Sequence, residues 1–229
     1  MNFKKLFSIL LLGTTLSFLT ITAEEVGQEY ELTGITDYDE NGNIIYEKDN
    51  EYECWYEYGE NNRMTHSQIN SAWESDSEGI ERWYSYDSEG KLFGVRFDGG
   101  EEWYDYDNKK HTLIVHTTTG DPEWKYECDE NWNRLYGTNG YIEWWKKYDS
   151  NGNLISEGDT DGFTINYEYD SQNRLIKKIE PMQYITTYEY DSNGNLAVEN
   201  PNFDSTKYYF YTYWPNGKLK ARRQFTVKQ

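Results

Sequence analysis

Four tryptophans, Trp55, Trp83, Trp103 and Trp145, each stand three residues before a tyrosine that opens a recurring turn. Asp37, Glu57, Asp105, Glu127, Glu168 and Glu189 stand one residue before the same kind of position. On a strand these two offsets point to one face. Indole rings beside carboxylates suit carbohydrate, whose CH faces stack on aromatics while its hydroxyls bond to acid oxygens, and they suit a basic protein surface equally well. The candidate ligand-binding residues are Trp55, Trp83, Trp103, Trp145, Glu57 and Asp105. Two arrangements are open. Either the face is outward, where clustered aromatics mark a binding surface, or the sheet wraps so that both faces are covered and the indoles fill a core.

Other chemistry is sparse. His66, His111 and His116 have no metal-ligand spacing, and no Ser-His-Asp or Cys-His arrangement stands out. Stretches such as Asp149 to Asn153 have the Asp, Asn and Gly of a calcium loop, but not its sixth-position Gly and twelfth-position Glu, and a turn accounts for all of them. Carboxylate pairs can be drawn at will among 41 acidic residues, so none points to glycoside hydrolysis. The expectation is a protein that is not an enzyme and has no cofactor and no metal. Cys54 and Cys128 lie three repeats apart, roughly 29 Å along a flat sheet, which predicts two free thiols unless the sheet closes tightly.

The residues that carry this pattern belong to a repeat. Anchors at Tyr38, Tyr58, Tyr86, Tyr106, Cys128, Tyr148, Tyr169, Tyr190 and Tyr213 are separated by 20, 28, 20, 22, 20, 21, 21 and 23 residues. Upstream of each anchor, residues alternate as in Tyr167-Glu168-Tyr169, the period of a strand. Downstream, Asp opens a turn, and Gly42, Gly90, Gly152, Gly194 and Gly217, or Asn62 and Asn173, occupy a position that needs a left-handed backbone before a closing bulge. Each unit therefore reads as a β-hairpin with its Tyr facing a Leu. The fold expected is all-β: a single continuous antiparallel meander of about nine hairpin repeats in a strongly twisted or coiled sheet. The long 58-to-86 spacing places an insertion at about 68–79, which includes Trp73.

Units such as Tyr190-Asp191-Ser192-Asn193-Gly194-Asn195-Leu196, recurring near every 21 residues over about 30–225, resemble the YD repeats of the Rhs family. The resemblance implies a coiling β-sheet, which in long members is a hollow shell enclosing a C-terminal toxin. Nine hairpins are too few for a large shell, and nothing after Leu219 is long enough to be a toxin. The last unit, Tyr213 to Lys220, is also similar to the MORN-variant hairpins of some toxin-neutralising proteins.

Composition agrees with this picture. Of 229 residues, 36% are hydrophobic against a usual 45–50%, so a thick two-layer core is not expected. Aromatics reach 18%, which separates the chain from disordered acidic sequences. A net charge of −19 disfavours nucleic acid and anionic membrane surfaces. Lys4 and Lys5, an apolar run from Leu6 to Leu19 and a small-residue site at Ala23 read as a signal peptide over 1–23, leaving a repeat domain over 24–229 with no stable membrane insertion after cleavage. The function expected is that of a secreted, cell-surface or periplasmic binding module for glycan. The alternative is a structural or toxin-associated Rhs-like protein, either a shell fragment or an immunity-type partner of a basic protein.

Overall fold

The computed structural model describes residues 30–71 and 79–227. The expected signal peptide at 1–23 and most of the 68–79 insertion, Trp73 included, lie outside the described residues. Hairpins one to three are β1 (Tyr30–Tyr38) with β2 (Ile44–Lys48), β3 (Tyr52–Tyr58) with β4 (Met64–Ser71), and β5 (Ile80–Tyr86) with β6 (Leu92–Phe97). The next three are β7 (Gly100–Asp107) with β8 (Thr112–Thr117), β9 (Trp124–Cys128) with β10 (Arg134–Thr138), and β11 (Glu143–Tyr148) with β12 (Leu154–Asp159). The last are β13 (Thr164–Tyr169) with β14 (Leu175–Glu180), β15 (Tyr184–Tyr190) with β16 (Leu196–Pro201), and β17 (Lys207–Tyr213) with β18 (Leu219–Val227).

Every strand pairs antiparallel with its chain neighbours, and β1 also pairs with β18, from Tyr30↔Val227 to Asp37↔Ala221. The meander expected from the sequence is there, and it closes into an 18-stranded barrel instead of remaining an open coil. Closure follows from the register. Passing across the ladder from Thr36 to Glu47 to Cys54 moves from two residues before Tyr38 to four before Tyr58. The path Tyr84, Val95, Glu102 makes the same step. About two residues per hairpin gives a shear of roughly 18 round the circuit, hence a strand tilt of about 35° and a Cα radius of about 17 Å.

The tyrosine turns all lie on one rim. Asp149 shows how they close: its Oδ1 accepts the backbone N–H of Asn151 (2.9 Å) and Asn153 (2.8 Å), and its Oδ2 accepts Asn153 Nδ2 (2.9 Å). These bonds, the Asn153 amide first, hold the carboxyl below the usual aspartate range. Gly194 (φ 84°) and its equivalents take the left-handed position, as do Asn62, Asn173 and, unforeseen, Trp132. The expected bulge follows: between Glu189 and Tyr190 the register shifts, so that Tyr190 faces Leu196 and Ala197 is the extra residue. In the Cys128 unit Arg134 faces the anchor, and Leu135 is the bulged residue.

Anchor tyrosines point inward and bind the preceding hairpin: Tyr169 Oη donates to the carbonyl of Leu154 (2.9 Å) and Tyr190 Oη to that of Leu175 (2.7 Å). A second inner row pairs Tyr hydroxyls with carboxylates, as in Tyr56 to Glu47 (3.1 Å), Tyr104 to Glu102 (3.0 Å) and Tyr209 to Glu199 (2.9 Å). Packing is densest where Leu113, Tyr126 and Cys128 are covered by Tyr104, Trp124 and Trp144. Elsewhere most of the interior is half-buried, with single buried residues such as Thr36, Ser67, Val95, Ile165, Thr186 and Tyr209. Among the described residues no ring contact or ion pair reaches across the barrel; they join adjacent strands or flanking hairpins. Barrels of this strand number leave a channel, and this one is a tyrosine-lined hollow wall. Replacing Gly194 with alanine is expected to lower stability by about 1 kcal/mol in denaturant titration, because an L residue is strained at that φ. An unchanged midpoint would remove the turn from the account.

Candidate functional site

The six candidate residues all point outward, because the next residue along each strand, a Tyr in five cases and Lys146 after Trp145, points in. Trp55 and Trp103 are each 37% exposed, and Trp83 and Trp145 are half-buried, so none is core. Trp55, Trp83 and Trp103 lie on alternate strands β3, β5 and β7 of one stretch of wall, while Trp145 is four strands further on, on β11. The set is therefore a three-indole strip with one outlier.

Two histidines that looked uninformative in the sequence organise this strip. His66 on β4 is directly opposite Trp83 and stacks on it at 5.3 Å, and His116 on β8 is opposite Trp103 and stacks on it at 5.0 Å. Each ring sits between two acids. His116 Nδ1 is 2.7 Å from Glu123 Oε1, and its Nε2 is 2.9 Å from Asp105 Oδ2. His66 lies 3.7 Å from Glu57 and 3.8 Å from Glu81. The repeat explains the likeness, since Glu57 and Asp105 precede their anchors by one residue and Glu81 and Glu123 precede theirs by five. A carboxylate acceptor at each nitrogen of His116 favours the doubly protonated ring, in which both N–H groups donate. Its pKa is raised, chiefly by the hydrogen bond to Glu123; burial opposes this, and the hydrogen bond to Asp105 and the charges of both carboxylates add to it.

The indoles differ in what covers them. Trp83 is sandwiched between His66 and the Arg96 guanidinium at 5.0 Å. Trp145 lies over Gly158, where an added Cβ would come within 2.6 Å of the ring, and carries Lys147 at 4.9 Å. Trp55 leans on Tyr46 at 5.7 Å. Trp103 has His116 on one side and, across the ladder on the other, Gly94, which has no side chain to cover it. Glu57 and Asp105 are well exposed, at 73% and 67% of their side-chain surface.

A separate cavity of about 380 Å³ lies inside the barrel at the closing seam, lined by Thr36, Glu47, Asp49, Cys54, Arg222 and Gln224. Arg222 Nη2 donates to Thr36 Oγ1 (2.9 Å) and lies 3.7 Å from Glu47, so the cavity's charges are largely matched to one another. Cys54 and Cys128 are free thiols, and burial raises both pKa values. Among the described residues no cluster of three or more His, Cys, Asp or Glu side chains could hold a metal ion.

The profile of the teneurin YD-shell matches residues 66–219, most of the repeat array. The chain belongs to the teneurin YD-shell family. Similar solved structures include TcdB2-TccC3-Cdc42, at 15% identity over 91% of this chain and 13% of that chain, with a TM-score of 0.39. A porin-like protein from Bacteroides uniformis ATCC 8492 is 10% identical over 86% of this chain and 97% of that one, with a TM-score of 0.46. TcdB2-TccC3-TEV is 11% identical over 81% and 13%, with a TM-score of 0.27. This YD-shell chain thus spans 13% of the length of each TcdB2-TccC3 chain. No curated protein matches it.

Because the His116 pKa is raised on folding, its contribution is complete below the unfolded value of about 6.5 and is lost as pH rises through the folded value. Thermal melts are expected to show wild type exceeding His116→Gln at pH 6 by a margin that closes by pH 9. An equal margin at both pH values would mean that the ring is not held as a cation.

Proposed function

We propose that this YD-shell barrel is an exported, non-enzymatic binding module whose β3–β8 wall takes a glycan on Trp103 and Trp55. The observation that carries the reading is Trp103, an indole 37% exposed, backed by His116 and facing an uncovered glycine, with the Asp105 carboxylate on the same wall. A sugar ring stacked there would place a hydroxyl within reach of Asp105. Trp83 and Trp145 are structural by contrast, since cations or backbone already occupy their faces.

The second reading, a structural or toxin-associated shell component with a basic protein partner, is favoured by the exposed carboxylates of Glu57, Asp105 and Glu168 and by the net charge of −19. Export rests on the signal-like sequence of 1–23. The absence of catalysis rests on the sequence, where no nucleophile–base pair stands out.

A glycan array probed with the purified protein tests the first reading. Binding is expected to fall at least about tenfold in Trp103→Ala, as loss of a main stacking platform requires, and to persist in Trp83→Ala. No glycan bound by the wild type, or equal loss in both variants, would overturn it in favour of a protein partner.

A further inference from the structure

The two rims of the barrel differ in chemistry. The tyrosine-turn rim is mostly Asp, Asn, Gly, Ser and charged residues, with Asp carboxylates closing the turns and Trp132 and Trp214 half-buried among them. On the opposite rim, four successive turns each present large apolar side chains to solvent: Tyr141 (83% exposed) between β10 and β11, Phe163 between β12 and β13, Met182 (84%) and Tyr184 between β14 and β15, and Phe203 (52%) between β16 and β17. None of the stretches 139–143, 159–163, 180–184 and 202–206 contains a Lys or Arg, and exposed Glu143, Asp161 and Asp204 lie among the rings.

This arc is also braced. Tyr184 and Phe203 are in ring contact at 4.6 Å. Asn202 joins their two turns, accepting the N–H of Ile185 on its side chain (2.9 Å) and donating Nδ2 to the Gln183 carbonyl (3.1 Å). The Thr160 N–H donates to the Glu143 carbonyl (3.0 Å), which ties the other two turns together. Rings held in this way are presented without the loss of loop freedom that binding ordinarily costs.

We propose that this rim arc docks an extended, arginine-rich segment of a protein partner. Aromatic faces and the carboxylates of Glu143, Asp161 and Asp204, which form no ion pair among the described residues whereas Glu180 is taken by Lys178 at 2.8 Å, match guanidinium groups, which stack on rings and pair with acids. Successive turns are about 12 Å apart along a rim of this tilt, so the arc from Tyr141 to Phe203 is about 35 Å long and takes roughly 11 extended residues. The acidic arc repels anionic lipid surfaces and the same arc of a second copy. The wall around Trp103 lies on β3–β8, on another part of the barrel, so this inference is independent of the glycan reading and can fail without it.

Fluorescence anisotropy with labelled dodeca-arginine and tetra-arginine peptides, at physiological salt and with the purified protein, tests the assignment. The longer peptide is expected to bind much more tightly, and dodeca-lysine more weakly than dodeca-arginine. The uncharged replacement of Tyr141, Phe163 and Phe203 by serine should weaken dodeca-arginine about tenfold, as loss of three exposed cation–π contacts requires, with the thermal midpoint unchanged. Phe163→Tyr with Phe203→Tyr should retain binding, and so should Trp103→Ala. Tyr141→Ser alone, at the most exposed ring, should lose about threefold and serves if the triple variant does not fold. Equal affinity for wild type and the serine variants, equal loss in Trp103→Ala, no binding at all, or co-sedimentation with phosphatidylcholine vesicles that depends on the same three rings would each overturn the proposal.

Discussion

The ladder between β1 and β18 is the constraint on which the rest depends. A sheet of 18 strands with two free edges would expose a row of unpaired N–H and C=O groups at each end, an open invitation to pairing between chains. Joining the edges satisfies both rows, and side chains reinforce the joint: Arg223 Nη1 meets Asp37 Oδ1 at 2.7 Å, Trp214 Nε1 donates to the Tyr38 carbonyl at 3.2 Å, and Lys218 Nζ to that of Asn41 at 2.8 Å. Once the sheet is closed, inside and outside are distinct environments. The alternation along each strand then becomes a division of labour: tyrosines and their glutamates face the lumen, with Trp124 and Trp144 among them, while Trp55, Trp83, Trp103, Trp145, His66 and His116 face outward.

A hollow barrel has to stabilise itself without a packed centre. Its stability is passed from neighbour to neighbour, as in other repeat proteins. Inward tyrosines reach the carbonyls of the hairpin before them, and inner glutamates accept phenol hydroxyls. Burial, with the charge of Glu199 beside it, pushes the Tyr188 hydroxyl up to about 12, so this phenol stays protonated across physiological pH. The low aliphatic content of the chain is what such a wall requires, since a single layer has one apolar lining and no second sheet to cover.

Much of this architecture was legible in the sequence. The nine hairpins, the left-handed position of Gly42 or Asn173, the closing bulge and the outward parity of Trp55 and Asp105 all follow from local spacing, and all are present. Part of what could not be read depends on register between units: the pairing of His66 with Trp83 needs the offset of β4 against β5, which no turn motif specifies. The pairing of His116 with Trp103 lies within one hairpin, but the turn after Tyr106 departs from the motif and its ladder runs without the bulge, so the offset of β7 against β8 did not follow from the repeat. The inner glutamates had a usable signal, because Glu47, Glu157 and Glu199 share one offset from Tyr38, Tyr148 and Tyr190. Trp132 in a left-handed backbone had none, since indole is rare there and its place is settled by stacking on His111 and by the edge of Tyr106. Closure had none either: the small drift of each hairpin says nothing until it is summed round the whole array.

The seam is therefore the place to test the account. Asp37 and Ala221 stand opposite one another across β1 and β18. In a protein carrying Asp37→Cys and Ala221→Cys, mild oxidation followed by mass mapping of the monomer is expected to find these two positions joined in one chain, as Cα atoms of a directly paired site allow. Free thiols at both positions, or a crosslink found only between chains, would mean that the sheet is open and that the barrel, its lumen and its two unlike rims do not exist as described.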